Sequence, residues 1–199
     1  MRFSARIGQN SLLAMALVAG LSSACRSSSE ARASIVISEF LASNTTGIKD
    51  SDGETSDWIE VYNRGKAAVN LAGWRLTDDP NQTERFVFPE VSLGPGQYLV
   101  VFASGRPSNP DEKQLHASFR LKASADYLGL LDADGRLTQE FAPYPEQRND
   151  VSYGLGSDGV TDYLTAATPG SANAPAISKK TKNERQRENG RGEEGELAP

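Results

Sequence analysis

Cysteine and histidine are almost absent, with one of each in 199 residues. A single cysteine excludes an intramolecular disulfide, and a single histidine excludes a multi-histidine zinc site. Stability must therefore come from packing. Long apolar runs are missing too. Leu12 to Leu21 (LLAMALVAGL) has ten uncharged, mostly apolar residues, which as helix rise about 15 Å, half of a ~30 Å hydrocarbon core. No window between 34 and 173 holds a long 3.6-residue apolar stripe, so the body is not built from amphipathic helices. What is present suffices for one core: 38% hydrophobic residues, with 7 Phe, 6 Tyr and 2 Trp. Wholesale disorder is excluded, and the length allows one domain once a leader and a polar tail are set aside.

Charge is unevenly spread around the overall net of −5. Between Ser34 and Asn173 there are 20 acidic and 11 basic residues, a net of −9. Such a body repels phosphate backbones, so nucleic acid is not an expected partner. A calcium ion or a basic partner surface suits it better.

Arg2 and Arg6 precede the short apolar run, and small residues follow it. That is the order of a secretory signal, here spanning 1–24. The run ends in Leu21-Ser22-Ser23-Ala24-Cys25, which resembles a bacterial lipobox, with Ser22 where an aliphatic residue usually stands. The resemblance implies a lipid on Cys25 and anchoring to a membrane; the alternative is ordinary cleavage after Ala24. Arg26 after the cysteine resembles the outer-membrane sorting pattern of a Gram-negative host, with secreted or periplasmic release as the other outcome. Residues 25–33 read as a polar tether. The tail, 174–199, mixes lysine, arginine and glutamate with glycine and almost no large apolar groups, so it reads as disordered.

The body, 34–173, is a series of short β-branched and aromatic runs broken by turn residues. Strands are expected at 35–40, 57–62, 68–70, 74–77, 85–88, 98–103, 118–121, 127–132, 137–141 and 151–153. Asp52-Gly53, Asn63-Arg64-Gly65, Gly94-Pro95-Gly96 and Asp134-Gly135 punctuate them. The class is all-β, an antiparallel sandwich or barrel. Ile59 and Val61 point one way along their strand, and Trp58, Glu60 and Tyr62 the other.

Six segments in order resemble the lamin-tail domain family, in its bacterial exported branch. They are Ile35–Phe40, Asp57–Asn63, Val69–Asp78, Phe86–Pro89, Leu93–Val101 and the closing Asp150–Gly154 with Thr168-Pro169-Gly170. The resemblance implies an immunoglobulin-like antiparallel β-sandwich of two sheets. In nuclear lamins the domain is a docking surface, and in bacteria it occurs on exported proteins beside hydrolase or adhesive modules. A shared fold does not transfer function.

Trp58, Tyr62, Trp74 and Phe88 are assigned to the core, in preference to a sugar-stacking role for the tryptophans. His116 reads as a loop residue making an ordinary hydrogen bond. Ser104 lacks a Gly-x-Ser-x-Gly elbow, so nucleophilic catalysis is not signalled. The segment 50–57 places Asp50, Asp52, Glu54 and Asp57 within eight residues. These carboxylates are a candidate calcium site, though not an EF-hand; the competing reading is a solvated turn with aspartates bonded to nearby N–H groups. No catalytic residue is expected. The expected function is a non-catalytic binding, adhesion or scaffolding module on the cell envelope, contacting protein or glycan through sandwich loops. The alternative is a calcium-binding accessory domain of an extracytoplasmic hydrolase.

Overall fold

β-branched and aromatic residues in short alternating runs pair wherever turn residues let the chain reverse. The computed structural model describes residues 30–109 and 111–177. The leader over 1–24, Cys25, the tether as far as residue 29 and the tail from 178 onward lie outside the described residues. Within them the strands are β1 (Ile35–Leu41), β2 (Asp57–Asn63), β3 (Val69–Asn70), β4 (Arg75–Thr77), β5 (Phe86–Val87), β6 (Ser92–Leu93), β7 (Tyr98–Ala103), β8 (Leu115–His116), β9 (Asp126–Leu131), β10 (Leu137–Tyr144), β11 (Tyr153–Leu155) and β12 (Thr161–Tyr163). A six-stranded sheet runs β12-β11-β1-β2-β7-β8, a four-stranded sheet β10-β9-β4-β5, and β3 pairs with β6 alone. Every named pairing is antiparallel except β7 with β8. The fold is an immunoglobulin-like β-sandwich.

β1 lies between β11 and β2 and carries a bulge between Ile37 and Glu39. Ile35, Ile37, Phe40 and Ala42 all belong to the main core, with Ile59 and Val61 of β2, Leu76 of β4 and Leu128 and Leu130 of β9. Phe40 meets Phe141, Tyr144 and Tyr153 at ring distances of 5.2, 5.2 and 5.7 Å. The side-chain amide of Gln139 on β10 stitches the two sheets together. Its Oε1 accepts from the Ile37 N–H at 2.8 Å, and its Nε2 donates to the Ile37 carbonyl at 3.2 Å.

Trp74 and Phe88 sit in the main core. Trp58 is equally buried but on the opposite face of the six-stranded sheet, in a small cluster with Leu41 and Phe102 roofed by Ile48. Tyr62, on that same outer face, is half-buried and stacks on Tyr98 at 4.4 Å.

Three differences from the sequence reading have physical causes. The segment 118–121 forms no ladder; pairing occurs just upstream, at β8. Ala117, Phe119 and Leu121 are buried in alternation, and alternation reports burial rather than pairing. Residues 30–34, placed in the tether up to 33, form a helical turn whose Ala31 packs on the core. Residues 174–177, placed in the tail, are held to the body: Ala176 is fully buried and bridges Leu164, and Thr165 N–H donates to the Pro175 carbonyl at 3.0 Å.

Trp74 fills space between the sheets, so Trp74→Ala should lower stability by about 3–5 kcal/mol. A urea melt reads this directly, and an unchanged midpoint would refute the core assignment.

Candidate functional site

The loop from β1 to β2 and the loop from β7 to β8 enclose a cleft of about 390 Å³ at one end of the sandwich. Asp50, Asp52, Glu54, Asp57, Ser104, Arg106 and Arg120 are among its walls. Asp50 organises the first loop. Its Oδ1 accepts from the N–H groups of Asp52 and Glu54, both at 3.0 Å, and its Oδ2 from the Ser56 hydroxyl at 2.8 Å. Gly53 closes the turn at φ 80°, a conformation open to glycine and strained for other residues. Burial works to raise the Asp50 pKa, but the hydrogen bonds from Ser56, Glu54 and Asp52 outweigh it and hold the carboxyl below its ordinary value.

The other three acids diverge. Asp52 pairs with Arg106 Nε at 3.0 Å, and Glu54 is exposed. Asp57 is half-buried, and burial pushes it up to about 6 against the Asn44 N–H and the charge of Arg120. Among the described residues no group of three or more His, Cys, Asp or Glu is placed to hold a metal ion. The four carboxylates of the calcium candidate are thus near in sequence but not gathered around one point, because Asp50 folds its own turn and Arg106 draws Asp52 away.

His116 stands in β8, fully buried, rather than in a loop. Its Nδ1 is 2.9 Å from Ser104 Oγ and its Nε2 is 2.9 Å from Arg106 Nη2. A guanidinium only donates, so Nε2 accepts, and the ring proton lies on Nδ1 and is given to Ser104. Burial, aided by the Arg106 charge, lowers the imidazole pKa. A neutral ring donating to the serine is the reverse of a general base removing the serine proton. Arg106 also donates to Glu112 at 2.8 and 3.3 Å and to Ser51 at 3.1 Å. The group ties the two loops together; it is a clamp.

The Lamin Tail Domain family profile matches residues 28–144, more than half of the chain. The chain belongs to the Lamin Tail Domain family. Comparison with curated proteins returns no match. The family is a binding-type, immunoglobulin-like domain and not a known enzymatic one.

Beyond the matched residues this lamin tail domain continues through β11, β12 and a strap, Thr168-Pro169-Gly170, laid over a second polar site. Glu39 and Glu60 face each other across β1 and β2, both fully buried. Thr168 N–H donates to Glu39 Oε1 at 3.0 Å, and its hydroxyl to Oε2 at 2.8 Å. Gly170 N–H donates to Glu60 Oε2 at 2.6 Å, and the Ser38 hydroxyl to Oε1 at 2.6 Å. Sequence reasoning passed over this pair. The available signal was a glutamate inside each of two otherwise apolar strands, IVISEFL and DWIEVYN.

Burial raises both carboxyls and takes Glu60 to about 7, with Glu39's charge adding to the rise and the hydrogen bonds opposing it. A raised carboxyl holds its proton more tightly in the folded than in the unfolded chain, so acidification from pH 7 toward 5 stabilises the fold. The expected slope approaches 1.4 kcal/mol per pH unit for a full proton. Below the ordinary carboxyl range the trend reverses, since Asp50, Glu112 and Asp150 are held low. Urea melts at pH 5, 6 and 7 should show the rise; Glu60→Gln should remove the part near pH 7 and leave the part that Asp57 supplies nearer pH 6. An equal rise in the variant would assign the effect elsewhere.

Proposed function

We propose that this lamin tail domain is a non-catalytic binding module of the bacterial exported branch. In this reading it stands outside the cytoplasm on a lipid carried by Cys25 and contacts protein or glycan through the loops of its cleft end. The observation that supports it most is the clamp. Arg106 joins the two loops through Asp52, Glu112, Ser51 and His116, so the cleft is preformed, and preformed loops bind at lower ordering cost. Its one serine–histidine pair has the wrong polarity for catalysis. The alternative, a calcium-binding accessory of a hydrolase, draws less support from four carboxylates that do not converge.

Two experiments test the reading separately. Detergent phase partitioning should place the native protein in the detergent phase and Cys25→Ala in the aqueous phase; equal partitioning would dismiss the anchor. For the binding face, a photo-cross-linking residue at Thr55, on the cleft wall, should capture a partner in cells. The same residue at Leu137, exposed on β10, should not. Capture at Leu137 alone would move the contact surface away from the cleft.

A further inference from the structure

At the opposite end from the cleft, residues 30–34 and the loop after β2 form a groove of about 630 Å³. Its walls include Ala31, Ala33, Ala67, Ala68 and Val69, together with Arg64 and Lys66; Glu30 is the one carboxylate among its lining residues. The groove is firmly built. Buried Asn63 donates to the Ala67 carbonyl at 2.9 Å and to the Leu93 carbonyl at 2.8 Å. Arg64 N–H donates to the Ser34 carbonyl at 2.9 Å, and its Nε to the Ala33 carbonyl at 2.8 Å. Among the described residues neither Arg64 nor Lys66 forms an ion pair with a carboxylate, whereas nearby Asp132 is paired with Arg32 at 3.5 Å and Asp134 with Arg136.

Three observations converge on what covers this end. First, Cys25 lies five residues before Glu30, and five residues reach at most about 18 Å. A lipid on Cys25 therefore holds the groove end, and not the cleft end, within headgroup reach. The length of β2 alone sets the two ends roughly 20 Å apart. Second, this end offers exposed cations without carboxylate partners to anionic lipid, while the remote end carries the acidic loop of a body whose net is −9. Anionic headgroups attract the first and repel the second. Third, the half-buried Tyr62–Tyr98 stack, at the end of β2 and the start of β7, lies at this same end. Tyrosine, with an apolar ring and a polar tip, favours the lipid–water boundary.

We infer that the groove end of the sandwich, residues 30–34 and 63–68 with the Tyr62–Tyr98 stack, seats on the anionic headgroups of the anchoring membrane and points the acidic cleft outward. This rests on the lipid anchor proposed above. The surface recognises phospholipid; the cleft is left for the partner.

The test uses the full-length chain processed in cells and reconstituted into vesicles containing phosphatidylglycerol. An environment-sensitive dye is placed on Ala67→Cys, with Ala68→Cys as a second position, or on Glu54→Cys at the cleft. An acylated Cys25 has no free thiol and does not take the dye. A headgroup-bound quencher should act severalfold more strongly at 67 or 68 than at 54. The contrast should shrink in phosphatidylcholine and in the double variant Arg64→Glu, Lys66→Glu. Equal quenching at the two ends, or stronger quenching at 54, overturns the orientation while leaving the anchor in place. Dye on Cys25 itself, with loss of vesicle association, removes the anchor and the orientation together.

Discussion

The bulge between Ile37 and Glu39 decides which residues of β1 face the core. Before it the inward residues are Ile35 and Ile37; after it they are Phe40 and Ala42. Strict alternation would turn Phe40 outward and drive Glu39 between the sheets, because a one-residue shift exchanges the two faces of a strand. β1 also lies between β11 and β2, so its register propagates to both sides. On one side it brings Glu39 opposite Glu60; on the other it sets Glu39 opposite Gly154. A side chain at 154 would come within 2.2 Å of the Ser38 carbonyl oxygen, so the glycine answers the bulge.

A two-sheet sandwich has an outer face on each sheet, and outer faces are ordinarily left to water. Here the outer face of the six-stranded sheet is covered along much of its length. The Trp58 cluster lies under the loop that follows β1, the glutamate pair under Thr168–Gly170, and His116 stacks on Phe102 at 5.6 Å. Both polar groups survive burial for one reason: each oxygen or ring nitrogen has a donor or acceptor aimed at it. One part of that cover, the strap Thr168–Gly170, comes from residues after Tyr144, where the family match stops. The closing segment is therefore part of this domain's architecture, including the short stretch that pairs Leu164 with Ala176.

The fold could be read from the sequence wherever a strand was long and flanked by turn chemistry. β1, β2, β7 and the β9–β10 hairpin at Asp134-Gly135 are cases where periodicity and glycine placement agree with tertiary packing. β6, β8 and β12 have two or three residues each and carry no period of their own; β3, β4 and β5 are as short, but they lie inside longer runs that resemble the family's segments. The candidate site was harder. The acidic loop announces itself by composition, yet composition does not say where each carboxylate turns; Arg106, 49 to 56 residues further on, redirects Asp52. His116 and Ser104, twelve residues apart, meet because β8 returns parallel to β7, an arrangement no local pattern encodes. The Glu39–Glu60 pair depends on the bulge, and a bulge has no reliable sequence signature.

The Gln139 amide has a consequence beyond joining the sheets. β11 reaches β1 at Glu39 and Phe40 and leaves Ile37 without a neighbouring strand on that side. Gln139 presents one carbonyl and one amide to that position, imitating a single residue of an adjoining strand. An unpaired stretch of strand is a template on which another chain can grow a sheet. With the Gln139 side chain in place, the Ile37 N–H and carbonyl on that side are already bonded within the molecule.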